Sequence, residues 1–145
     1  MTVRDDFLYA LPRIGNSDVG FLSSFESQRH VPFEIKRVYY IYDVPAGTKR
    51  GMHAHKKLQQ FLWCPYGAIK LVLDNGIEKK EYILDSPEKG LYVGEGVWRD
   101  MYWLKDNSVL CVAASDYYDE SDYIRDYDEF LRLVREAYWK DENKL

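Results

Sequence analysis

Three histidines occur in 145 residues, and two of them stand one residue apart, His53-Ala54-His55. On an extended strand, residues i and i+2 point to the same face, so both imidazoles enter one volume. Imidazole titrates at about pH 6.5 when unperturbed and can take up or release a proton near neutrality. Such a pair suits proton transfer between neighbouring atoms or, with further donors, binding of a transition metal. Taken alone, His-x-His is a weak signal that more often marks two solvent-facing histidines. Further candidates flank it: Arg37 and Tyr39 on one face of the preceding strand, Arg50 just before the pair, Gln60 after it, and Arg99. Each also has a plain structural reading. Arg37 suits a surface ion pair, Tyr39 a core filler, Arg50 a solvated turn, and Gln60 a partner for a buried backbone group. Lys56 and Lys57 read as a solvated rim, and His30 as a surface residue.

The elements around these residues are short strands. Phe33–Tyr42, Leu58–Cys64, Ala68–Leu73, Ile77–Leu84, Leu91–Val93, Val97–Leu104 and Ser108–Ala114 are rich in β-branched and aromatic residues. Turn formers separate them, among them Asp43-Val44-Pro45-Ala46-Gly47, Pro65-Tyr66-Gly67, Asp74-Asn75-Gly76 and Asp85-Ser86-Pro87. Many short, evenly spaced strands predict an all-β sandwich or small barrel. Ile124, Tyr127, Leu131, Val134 and Tyr138 then recur at three and four residues, predicting one amphipathic helix from Asp122 to Lys140 behind an acidic stretch. The tail from Asp141 to Leu145 reads as frayed. The length suits a single domain over residues 1–145.

Composition narrows the function classes. A formal net charge of −4 argues against a nucleic-acid binder, and no apolar run approaches a membrane span. Acids near the N-terminus argue against a secretion signal, so a cytoplasmic protein is expected. Cys64 and Cys111 both sit in apolar runs and read as buried free thiols.

The histidine pair lies in a pattern that resembles the cupin barrel. Gly47 is followed by five residues, His53-Ala54-His55, four residues, Gln60, six residues and Gly67. This is the spacing of the first cupin motif, with Gln in place of Glu. Gly94-Glu95-Gly96-Val97-Trp98-Arg99 resembles the second motif, with Gly94 in place of Pro and Arg99 in place of His. The resemblance implies a double-stranded β-helix, or jelly-roll barrel, with the predicted C-terminal helix appended. Metal-binding cupins hold their ion with three His and one Glu. Two of those four are replaced here, one by a neutral amide and one by a permanently protonated guanidinium. No metal is therefore expected, and acid–base work by His53 and His55, with Arg99 steadying an oxyanion, is the expected chemistry.

A narrower resemblance spans Val19 to Phe130. The run from Pro32 to Tyr42, the run Arg50-Gly51-Met52-His53-Ala54-His55-Lys56-Lys57-Leu58, and the run from Ala114 to Arg125 are similar to the sugar 3,4-ketoisomerases of the cupin superfamily. That resemblance implies metal-independent migration of the ketone of dTDP-4-keto-6-deoxyglucose from C4 to C3, without a cofactor, for later amination. It implies His53 and His55 as catalytic residues, and a homodimer with exchanged strands. Arg50 could meet the diphosphate and Gln60 a sugar hydroxyl. Arg99 together with Val19 resembles the branch giving a gluco-configured product. Two other readings remain open: a 3,5-epimerase on the same kind of substrate, and a non-catalytic cupin that binds a sugar nucleotide. A metal-dependent dioxygenase would require bound iron.

Overall fold

The computed structural model describes residues 6–139. The strands are β1 (Asp6–Ala10), β2 (Ile14–Asn16), β3 (Gly20–Leu22), β4 (Arg37–Ile41), β5 (Lys49–His55), β6 (Gln60–Tyr66), β7 (Ile69–Asp74), β8 (Lys79–Leu84), β9 (Lys89–Val93), β10 (Trp98–Trp103), β11 (Val109–Ala114) and β12 (Tyr123–Ile124). A 3-10 turn covers Glu120–Asp122, and one helix, α1, covers Tyr127–Arg135. The strands form two five-stranded antiparallel sheets, ordered β1-β9-β6-β11-β4 and β12-β5-β10-β7-β8, and a separate β2-β3 hairpin.

The sheets enclose one apolar core. Leu62, Cys64, Leu91, Val93, Leu110 and Val112 of the first sheet meet Ile69, Leu71, Leu73, Met101 and Trp103 of the second. This is the expected jelly-roll barrel, and the alternation along β7 and β10 produces it. Strand β6 departs from alternation: Phe61, Leu62 and Cys64 are all buried. It is covered on both faces, as continuous apolar strands require. Its outer side carries a second cluster, in which Phe61, Tyr92 and Ala113 pack beneath Leu11, Val31, Phe33 and Phe25. On the outer side of the other sheet, Ala54 and Trp98 pack against Ile124, Phe130, Leu133 and Trp139.

The helix is shorter than the expected span from Asp122 to Lys140. The Asp126 carboxylate caps it by accepting the N–H groups of Asp128 and Glu129. Before it, Tyr123 and Ile124 are drawn into pairing with His55 and Ala54, so the helical period of Ile124 belongs to a strand residue. After it, Ala137 takes a positive φ of 58° and turns the chain away. Lys140 and the tail expected to fray lie outside the described residues. The strand expected from Phe33 begins only at Arg37, because Phe33 turns into the outer cluster. Cys64 and Cys111 are both free thiols; Cys64 is buried, but Cys111 is partly exposed.

Candidate active site

His53 and His55 project from the end of β5 into the barrel, their ring centroids 4.9 Å apart and nearly perpendicular. In register with His53 on the neighbouring strand stands Arg99. Opposite His55 on β12 stands Tyr123, whose ring centroid lies 4.4 Å from that of His55 and 5.1 Å from that of His53. Arg99 is buried and held on two sides. Its Nη1 donates to Gln60 Oε1, and its Nη2 donates to the Val97 carbonyl at 2.9 Å. Gln60 passes the chain on, its Nε2 donating to Tyr39 Oη at 2.9 Å. Arg37 lies beyond, its guanidinium carbon 5.2 Å from the Tyr39 ring centroid and 5.7 Å from that of Tyr118. Arg37, Tyr39, Gln60, Arg99, His53 and His55 thus line one end of the barrel. Arg50 is different: it pairs with Met101 in register and is exposed.

His55 is oriented by a carboxylate. Its Nδ1 lies 3.1 Å from Asp122 Oδ2. A carboxylate only accepts, so the hydrogen sits on Nδ1 and the Nε2 lone pair faces the site. The backbone N–H groups of Lys57 and Leu58 also donate to Asp122, at 2.8 and 3.3 Å. Burial works to raise the Asp122 pKa, but these donors outweigh it and hold the carboxyl below its ordinary value. His55 Nε2, His53 Nδ1 and Arg99 Nε are buried with no hydrogen-bond partner among the described residues.

The electrostatics follow from burial and from Arg99. Burial, then the charge of Arg99 and the neighbouring ring, bring His53 down to about 2. His55 falls to about 4, again chiefly through burial, with Asp122 opposing the shift. Both rings are therefore neutral at neutral pH. Desolvation lowers Arg99 to about 10, which still leaves it charged. Burial raises the Tyr39 phenol, so its hydroxyl keeps its proton.

The donor set does not suit a metal. Gln60 Oε1 is taken by Arg99 and its Nε2 by Tyr39, and a guanidinium stands where a third imidazole would be needed. Among the described residues, no three His, Cys, Asp or Glu side chains cluster as metal donors.

A cavity of about 280 Å³ opens beside His55, lined by Arg37, Lys56, Lys57, Tyr117, Asp122 and Tyr123. A larger one of about 680 Å³ lies elsewhere, between Arg13, Phe21 and Phe25 of the N-terminal segment and Trp63 and Pro87 of the barrel. It is the bigger space but has no histidine in its lining, whereas His55 lines the smaller one. His30 lines neither, its Nδ1 accepting the Glu26 N–H at 2.7 Å.

Asp122 and Tyr123 are the site residues that sequence reasoning missed. From sequence, Asp122 reads as charge at the start of the expected helix. The available signal was the run of Asp and Tyr residues from Asp116 to Tyr123 directly after an apolar strand, too polar for a core and too aromatic for a simple linker.

Comparisons with known proteins bear on the family and the fold. The family described as FdtA, WxcM-like, C-terminal, matches residues 4–135. A TDP-4-oxo-6-deoxy-alpha-D-glucose-3,4-oxoisomerase of Aneurinibacillus thermoaerophilus is 50% identical over 115 residues, 79% of this chain and 83% of that protein. The crystal structure of QdtA, a sugar 3,4-ketoisomerase from Thermoanaerobacterium thermosaccharolyticum in complex with TDP, is 42% identical. It superposes with a TM-score of 0.86 over 90% of this chain and 95% of that one. The WlaRB TDP-quinovose 3,4-ketoisomerase of Campylobacter jejuni is 42% identical, with a TM-score of 0.84 over 88% of this chain and 98% of that one.

Proposed function

The chain belongs to the FdtA, WxcM-like family of sugar 3,4-ketoisomerases, and on that premise we propose that it converts TDP-4-keto-6-deoxyglucose to a TDP-3-keto-6-deoxyhexose. The observation that carries the proposal is the pair of buried, neutral imidazoles facing one buried guanidinium. A histidine takes the proton from C3, the C–H electron pair becomes the C3–C4 double bond, and the former C4 carbonyl oxygen becomes an oxyanion. A proton then returns to C4 while the C3 hydroxyl gives up its own, leaving the ketone at C3. Nothing is oxidised or reduced overall, so no cofactor is needed.

Arg99 has two roles in this scheme. It steadies the enediolate by charge-assisted hydrogen bonding. In the free site its charge adds to burial, the larger cause, in lowering both imidazoles. Negative charge forming on the sugar offsets that effect, so the rings become better bases as the reaction proceeds. Tyr39 accepts from Gln60 and keeps its own O–H to offer a sugar oxygen. Lys56 and Lys57 line the cavity beside His55, where a diphosphate would lie; Arg50, opposite Met101 and exposed, is not among its lining residues.

Arg99 and Val19 favour the gluco-configured product, since an arginine donates protons poorly and leaves C4 to be protonated by a histidine or a water. The likeness to a TDP-quinovose ketoisomerase supports this branch. Val19 is 83% exposed on the hairpin while Arg99 is buried, so one chain does not bring the two together. A homodimer with exchanged strands would. Ile14, Phe21 and Leu22 of the same hairpin are also exposed, whereas Phe25 is already occupied, 4.7 Å from the ring centroids of Phe61 and Trp63. The product would serve deoxyamino-sugar synthesis for lipopolysaccharide or another surface glycan, in the cytoplasm. Among the described residues no helix is long and apolar enough to cross a membrane.

The test is to incubate the purified protein with TDP-4-keto-6-deoxyglucose and follow the sugar by NMR. A new 3-keto sugar is expected. Deuterium entering at C5 would identify an epimerase instead, and binding without turnover a sugar-nucleotide-binding cupin.

A further inference from the structure

The two histidines face the barrel only because strand β5 breaks its own alternation. Residues directly opposite each other in an antiparallel pair share a face. On β10, Arg99, Met101 and Trp103 point inward, Met101 and Trp103 into the main core, while Trp98 packs outward under α1. Gly51 pairs with Asp100, and His53 pairs with Arg99. One step on β10 therefore corresponds to two steps on β5, and Met52 is the extra residue. Gly51 and Met52 both have positive φ, 86° and 57°. This is a bulge made of two consecutive left-handed residues, the second of them not glycine. An uninterrupted strand continuing from Gly51 opposite Asp100 would put Met52 opposite Arg99 and His53 opposite Trp98. Both histidines would then face the helix layer, and Ala54, now packed with Trp98 and Phe130, would face the barrel.

We infer that the Gly51–Met52 bulge is the positioning device of the site: it reverses the face of β5 and aims His53 and His55 at Arg99. Two further observations agree. A Cβ on Gly51 would stand 2.9 Å from the Arg99 carbonyl oxygen and 3.1 Å from Met101 Cε, so the bulge packs tightly on the strand carrying the guanidinium. The Met52 side chain is 44% exposed, so the residue's value lies in its backbone conformation. That the histidines meet the sugar rests on the function proposed above; that the bulge aims them does not.

The test separates conformation from side chain at one position. Met52→Gly accepts positive φ freely, whereas Met52→Val places a β-branched residue where that conformation is a strong outlier. With TDP-4-keto-6-deoxyglucose as substrate, Met52→Gly should keep kcat within about twofold, and Met52→Val should lower kcat more than about tenfold, a change near 1.4 kcal/mol, with KM little changed. Deletion of Met52 removes the extra residue, so His53 follows Gly51 directly and still falls opposite Arg99, and the pair should stay inward. Diethylpyrocarbonate followed by peptide mass analysis should modify chiefly His30 in that variant, as in the wild type. Modification of His53 and His55 in a folded deletion variant would overturn the inference. So would equal losses in Met52→Gly and Met52→Val, or no loss in Met52→Val. If the deletion variant does not fold, the two substitutions decide. Wild-type protein inactive on this sugar would sink the proposed function, and the histidine modification pattern would still decide the bulge.

Discussion

The inward side chains of three strands change character within two residues. Along β4 they run Arg37, Tyr39, Ile41; along β6, Gln60, Leu62, Cys64; along β10, Arg99, Met101, Trp103. One end of the barrel is polar, charged and linked by hydrogen bonds, and the other is dry and apolar. Strand alternation decides only which face a side chain takes. Distance along the strand decides which medium it enters. The apolar end therefore carries stability, and the polar end tolerates unpaired buried groups such as Arg99 Nε and His53 Nδ1 that would be costly if nothing ever bound them.

That division can be broken from either end. Trp103→Ala removes a fully buried side chain at the dry end and should destabilise the fold by about 3–5 kcal/mol, read by denaturant unfolding, with kcat per folded molecule nearly unchanged. His53→Asn and His55→Asn should each lower turnover more than about a hundredfold while the circular dichroism spectrum stays that of the wild type. Near-normal rates in both would make the pair bystanders.

Acid provides a subtler probe. His55 has a pKa near 4 in the fold against 6.5 when unfolded, so the unfolded chain binds more protons between those values. Stability should be complete above pH 6.5 and fall as the pH drops toward 4, by roughly 3 kcal/mol from this one group. Thermal unfolding across that range measures it, and His55→Asn should flatten the slope. Arg99→His, alone or with Val19→Arg, should raise the galacto-configured share of the product, assigned at C4 by NMR after reduction. An unchanged ratio and rate would remove Arg99 from the reaction. Exhaustive chelation should have the smallest effect of all, none on kcat; rescue of an inactive chelated protein by a divalent metal would reverse the reading of Gln60 and Arg99.

The strands of the barrel were legible because their alternation and turn residues are local signals. So was the histidine pair, whose spacing alone suggested a shared face, although the reason it faces inward was not local. The bulge at Gly51 and Met52 exists only in relation to β10, and nothing in Arg50-Gly51-Met52-His53 states which strand lies beside it. Asp122 was hidden for the same reason. Its partner His55 is 67 residues away in the chain. The helix was overextended because Ile124 satisfied both a helical period and a place in β12, and pairing with β5 won. The strands β2 and β3 escaped notice because they are three residues long and exposed throughout, without a buried face to pattern them.

The short strand β12 has a consequence for synthesis. It covers the free edge of β5, delivers Asp122 to His55, and is tied down by α1 and by Trp139, whose Nε1 donates to the Lys56 carbonyl at 3.0 Å. A chain still emerging from the ribosome can close the apolar end of its barrel once β11 is made, but it has no carboxylate for His55 and no cover for the β5 edge until Asp122 to Ile124 have emerged. A nascent chain that stops short of Ile124 therefore holds the histidine pair without the group that orients one of them.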